Sequence, residues 1–197
     1  GSDVSFSAPS NFNGSETFTV SVSDTDLTDS QSITVTVNAV NDAPVAAVDL
    51  SGSTNEDQSV VVNLSGTDID GDNLTFSLDT DAVSGSVVID GTIATYTPTS
   101  NFNGDDSFSF IVSDGELTDT ATVSLTIEAV NDAPVLATVS DVSFDEDTSG
   151  STSLSGSDID GDDLTYSISG GSDITATLSG SDVSFSAPSN FNGSETF

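Results

Sequence analysis

The sequence repeats itself, and the period constrains the fold more than any other feature. "NDAP" stands at 41 and 131, "DIDGD" at 68 and 158, "VSD" at 22 and 112, and "NFNG" at 11, 101 and 190. The spacing is 90 residues, falling to 89 in the last step. A fixed period of this kind marks a chain built from equivalent units. One complete unit runs from about 44 to 133. Residues 1–43 supply the C-terminal part of a preceding unit, and 134–197 the N-terminal part of a third. A longer period lies over the first. "GSDVSFSAPSNFNGSETF" at 1–18 returns unchanged at 180–197, whereas the middle copy there contains "TYTPTSNFNGDDSF". This reads as a two-domain super-repeat of 179 residues in a long array, or as an overlap introduced when the piece was defined. In an array, unlike neighbours limit misassembly between domains.

Within the complete unit, apolar residues alternate with a period of two. Val60, Val62 and Leu64 do so, as do Leu74, Phe76 and Leu78. Phe108, Phe110 and Val112 follow, then Val123, Leu125 and Ile127. Shorter runs fall at 45–48, 86–90 and 93–97. No segment has a 3.6-residue period. The pattern predicts about seven short strands separated by Gly, Asn and Asp turns. Seven strands in roughly 90 residues make an immunoglobulin-like β-sandwich. The "NFNG" segments read as turns. Pro44 and Pro134 follow the last strand of their units and stiffen the crossing into the next domain.

The charge is one-sided. The chain has 33 acidic residues, only six of them Glu, and no Lys, Arg or His, for a net charge of −33. No salt bridge between side chains can form. Self-repulsion opposes a compact state unless cations neutralise it. Nucleic acid and anionic membrane surfaces are excluded as partners, because both need Lys or Arg. A hard cation bound by Asp oxygens is the simplest partner, and Ca²⁺ fits that description. With no Cys, neither disulfides nor zinc–thiolate sites are available. No apolar run approaches a membrane span. The chain has neither a signal peptide nor an initial Met, which suggests a piece of something longer. An enzyme is not expected. Acid–base chemistry would fall to carboxylates or tyrosine, and a glycosidase pair needs a cleft that a thin sandwich does not offer.

Three motifs, in order, resemble those of cadherin repeats, and more closely the cadherin-like tandem repeats of giant bacterial surface and biofilm adhesins. "TDIDGDNLTFSL" at 67–78 is similar to the cadherin Asp-rich segment that runs into a strand. "VSDGELTDTATVSLTIEAVNDAPV" at 112–135 is similar to the cadherin ending and linker. "STNEDQSV" at 53–60 stands where cadherins carry an early Glu. The resemblance implies tandem immunoglobulin/cadherin-like sandwiches in a linear array, with Ca²⁺ held at the junctions. At the first junction the implied ligands are Asn41, Asp42, Asp68, Asp70 and Asp114. At the second they are Asn131, Asp132, Asp158 and Asp160, with Glu56 from the domain before. Asp72 and Asp162 are extra carboxylates. The cadherin mid-domain "D-R-E" motif is absent and the linker is one acidic or amide residue short, so fewer ions per junction are expected. Glu128 and Asp57 are further candidates. The scattered acids Asp49, Asp79, Asp90 and Asp173 are read as loop residues.

The expected function is structural: a Ca²⁺-stiffened repeat of an extracellular fibre or adhesin stalk on a bacterial surface. The alternative is a carbohydrate-binding or homophilic module. It is the weaker reading, because Trp is absent and only Phe12, Phe102 and Phe191 are free of the strand pattern. The partners are neighbouring copies of the same repeat. Either the incomplete ends continue into a longer chain, or the tail of one chain completes the head of another.

Overall fold

The computed structural model describes residues 3–197. Among the described residues it is all β, with no helix, as the alternating pattern predicts. The chain forms two compact units that divide between Ala129 and Val130.

The first unit begins with an isolated hairpin. Strands β1 (Gly14–Ser23) and β2 (Thr28–Val37) pair antiparallel from Gly14↔Val37 to Ser23↔Thr28. They form a two-stranded sheet. Beyond it stand β3 (Val45–Ala46), β4 (Leu50–Asn55), β5 (Val60–Asn63), β6 (Gly66–Thr67), β7 (Thr75–Thr80), β8 (Gly85–Asp90), β9 (Ile93–Pro98), β10 (Gly104–Ser113) and β11 (Thr118–Glu128). One sheet has the order β4-β11-β10-β7 and the other β5-β9-β8, with β3 paired to β6. β4 runs parallel to β11, and β7 and β11 run antiparallel to β10.

The core fills the space between the sheets. Phe108, Phe110 and Val112 of β10 meet Val123, Leu125 and Ile127 of β11 on one side, and Val62, Val87, Ala94 and Tyr96 on the other. Every second residue of β11 from Ala121 to Ile127 is buried, which is the geometric consequence of a period of two.

The sequence pattern does not reveal β4. Its inward residues are Leu50, Gly52 and Thr54, so a single apolar side chain stands in place of an alternation. Gly52 is small for a reason: a Cβ there would stand 2.8 Å from Val62 Cγ2.

The second unit holds β12 (Val135–Leu136), β13 (Ser149–Ser153), β14 (Gly156–Ser157), β15 (Thr175–Ser179) and β16 (Asp182–Ser186). The sheet β13-β16-β15 and the pair β12-β14 repeat β5-β9-β8 and β3-β6. Residues 140–145 and 165–170, which correspond to β4 and β7, form no strand.

Candidate cation site

The loop "DIDGD" folds around its first carboxylate. Asp68 Oδ1 accepts the backbone N–H groups of Asp70 (2.8 Å), Gly71 (3.0 Å) and Asp72 (3.3 Å). Gly71 takes φ +82°, which lets the chain close on itself. One oxygen of each of Asp68, Asp70 and Asp72 lies within 4.8 Å of the others. Among the described residues this is the only such acidic group. Two carboxylates that close repel by roughly 1 kcal/mol even at the dielectric of water, and by several times that near a protein surface.

Asp68 Oδ2 is buried and, among the described residues, has no hydrogen-bond partner. A buried carboxylate oxygen left unsatisfied is costly. Two oxygens bound to one Ca²⁺ at about 2.4 Å can stand no more than about 5 Å apart. The spacing of the three aspartates meets that limit.

The linker and the β10–β11 turn close on the same place. The Asp42 N–H donates to Asp70 Oδ2 at 2.8 Å. Asn41 Nδ2 donates to Asp114 Oδ2 at 2.9 Å. Asp114 Oδ1 accepts the N–H groups of Leu117 and Glu116, each at 2.7 Å, and together these bonds hold its carboxyl below the usual range. Asn41, Asp70, Asp72, Asp114 and Glu116 line one open cleft of about 450 Å³. The structure thus gathers Asn41, Asp42, Asp68, Asp70, Asp72 and Asp114. Sequence reasoning missed Glu116, although it lies two residues past Asp114 in the same turn.

Glu56 stands apart from this group. It is 4% exposed, and its N–H donates to the Glu128 carbonyl at 2.9 Å. Glu128 ends β11, whereas the Asp114 turn begins it. Eleven strand residues separate the two poles by about 35 Å.

In the second unit the equivalent loop is looser. Asp158 Oδ1 accepts from Asp160 (3.0 Å) and Asp162 (3.4 Å). The Asp132 N–H donates to Asp160 Oδ2 at 2.7 Å, matching Asp42 on Asp70. Asn131 Nδ2 turns instead to the Asp132 carbonyl at 2.9 Å. Asn131, Asp158 and Asp162 share a cleft of about 340 Å³ with Leu136 and Tyr166.

Several acids outside the site act as backbone caps. Asp106 accepts from Val83, Ser84 and the Tyr96 hydroxyl. Burial, then the Asp106 carboxylate, pushes the Tyr96 hydroxyl up to about 12. Glu195 does the same work in the second unit, accepting from Ser172, Asp173 and Ile174. These bonds, led by the one from the Ser172 hydroxyl, lower its carboxyl to about 2.

A family model described as a bacterial Ig domain matches residues 41–126 and again 131–197. No curated protein matches the sequence. Among solved structures, the extracellular cadherin domains 1–4 of protocadherin gamma B7 align at 16% identity and a TM-score of 0.48, over 89% of this chain and 49% of that one. Human protocadherin-24 EC1-2 aligns at 21% identity and 0.42, over 60% and 67%. An endo-fucoidan hydrolase of glycoside hydrolase family 107 aligns at 18% identity and 0.40, over 92% of this chain but only 30% of the hydrolase. No helix is long and apolar enough to cross a membrane among the described residues.

Proposed function

The chain belongs to the bacterial Ig domain family, and from that we propose that it is a Ca²⁺-stiffened structural repeat of a long extracellular fibre or adhesin stalk. The observation that carries the reading is the buried Asp68 Oδ2, without a hydrogen-bond partner among the described residues, beside Asp70 and Asp72 in a chain without a single Lys, Arg or His. Asp68, Asp70 and Asp72 would hold the ion, with Asp114 and Asn41 completing its surroundings from the β10–β11 turn and the linker. The ion would neutralise the cluster and fix the linker to the domain that follows. The protein's own part is to pre-form the loop: Asp68 Oδ1 spends its hydrogen bonds on the backbone and leaves Oδ2 for the cation. The second unit repeats the arrangement with Asn131, Asp132, Asp158, Asp160 and Asp162. Glu56 stands at the opposite pole of its domain and takes no part in this loop. The role is mechanical and non-enzymatic, outside the cell.

Calorimetric titration with Ca²⁺ tests this. Asp68→Asn keeps an Oδ1 acceptor for the backbone N–H groups of Asp70, Gly71 and Asp72 but removes a charge. Its Ca²⁺ affinity should fall by about tenfold or more, a loss of at least 1.4 kcal/mol. Its melting temperature in EDTA should rise, because a repulsive charge is gone. Unchanged affinity would remove Asp68 from the site, and no Ca²⁺ binding by the unsubstituted chain would remove the cation from the mechanism.

A further inference from the structure

We propose that Asn13 makes the preceding repeat's contribution to the cation site: its side-chain amide oxygen joins the loop aspartates around the ion and ties β1 to the domain that follows. This rests on the cation reading above and names a further ligand for that site.

The loop alone is short of oxygens. Ca²⁺ takes about six to eight, from side chains, carbonyls and water. Asp68 Oδ1 already accepts three backbone N–H groups, which leaves the buried Oδ2, without a hydrogen-bond partner among the described residues. Asp70 Oδ2 accepts the Asp42 N–H, which leaves Oδ1. Both Asp114 oxygens accept hydrogen bonds, one from Asn41 and the other from Glu116 and Leu117. Even with Asp72, the remainder has to come from the walls of the cleft and from water.

Asn13 is on that wall. It lines the same cleft of about 450 Å³ as Asp70, Asp72, Asp114 and Glu116. It is exposed, and its amide has no hydrogen-bond partner among the described residues. Strand pairing puts it there. Gly14 pairs with Val37, so β1 begins where β2 ends, beside the linker that carries Asn41.

The "NFNG" turn holds this position. Asn11 takes φ +58° and Gly14 φ +139°. The Phe12 N–H donates to the Pro9 carbonyl at 3.3 Å, and the Phe12 ring lies over Gly14, where a Cβ would stand 3.6 Å from its Cζ. The complete domain builds the same turn. Asn101 takes φ +57°, Gly104 φ +122°, and the Phe102 N–H donates to the Thr99 carbonyl at 3.1 Å. Glycine tolerates such angles at no steric cost. These bonds leave the second Asn side chain of the turn free.

An amide suits the place. Four carboxylates already line the cleft, and a further one would add repulsion that no cationic side chain offsets. An amide oxygen adds a hard donor without adding charge. Asn13 is also the one lining residue that precedes β2 and the linker. An ion bound through it bypasses the linker, whose backbone would otherwise remain a hinge.

The test is a Ca²⁺ titration of the full chain followed by amide NMR. The Gly71 N–H is bonded to Asp68 Oδ1, so an ion on the same carboxylate moves its resonance. Gly161, in the equivalent loop of the second unit, is an internal control. Asn13→Ala should raise the Ca²⁺ midpoint at Gly71 by about tenfold, the smaller loss seen when a group supporting a metal site is removed. The midpoint at Gly161 should not move. Asn13→Asp, which keeps an oxygen in place, should leave the Gly71 midpoint unchanged or lower it. An unchanged Gly71 midpoint in Asn13→Ala, an equal shift at Gly161, or an Asp variant as weak as the Ala variant would overturn the proposal and leave the cation reading standing. A Gly71 resonance that ignores Ca²⁺ in the unsubstituted chain would overturn both.

Discussion

A carboxylate here has one of two occupations, and its neighbours decide which. Asp106 sits against backbone N–H groups and the Tyr96 hydroxyl, and needs no ion. Asp68 satisfies one oxygen in the same way and keeps the other buried, without a hydrogen-bond partner among the described residues. The sequence shows both only as Asp in a turn-rich stretch. The Tyr96–Asp106 contact also predicts an alkaline transition. Ionised Tyr96 is penalised in the folded state, by burial first and by the Asp106 charge second, so its value rises from 10.0 to about 12. The stabilisation is fully present below pH 10 and is lost as pH rises through about 12. A tyrosinate absorbance titration should show a late component that Tyr96→Phe abolishes. The same late component in Tyr96→Phe would refute the assignment.

At the scale of the element, strands with apolar alternation announce themselves and strands held by absences do not. β10 and β11 are legible because Phe108, Phe110, Val123 and Leu125 fall on one face. β4 is not, because what its position against Val62 requires is the missing side chain of Gly52. Gly85 in β8 is a sharper instance. A Cβ there would collide with the Tyr96 ring and approach the Thr97 carbonyl oxygen to 2.6 Å. That oxygen is backbone and cannot swing away. Gly85→Ala should therefore destabilise the complete domain by about 1–3 kcal/mol, the usual range for overpacking. Chemical denaturation measures it, and an unchanged midpoint would mean that β8 shifts freely.

For the whole molecule the dominant quantity is the charge of −33 with no opposing side chain. Most proteins of this size carry ion pairs that salt weakens; this one has none to lose. Raising NaCl in EDTA should raise the melting temperature steadily, since screening relieves repulsion. Millimolar Ca²⁺ should raise it further than NaCl of equal ionic strength, because a bound ion also satisfies Asp68. Equal effects from the two salts, in paired thermal melts, would reduce the acids to a solvated surface.

The sequence by itself determined the unit length, the all-β class and most of the strands, because period, alternation and turn residues are local properties. It also determined that any cationic partner for the acids must come from outside the chain, because the composition holds no cationic side chain. Only the tertiary structure decided which acids converge. Asp42, Asp70 and Asp114 are far apart in the chain and meet because the end of β10, the start of β11 and the linker lie at one pole. Glu56 shares their chemistry but stands at the other pole, because β4 runs parallel to β11 and carries it there.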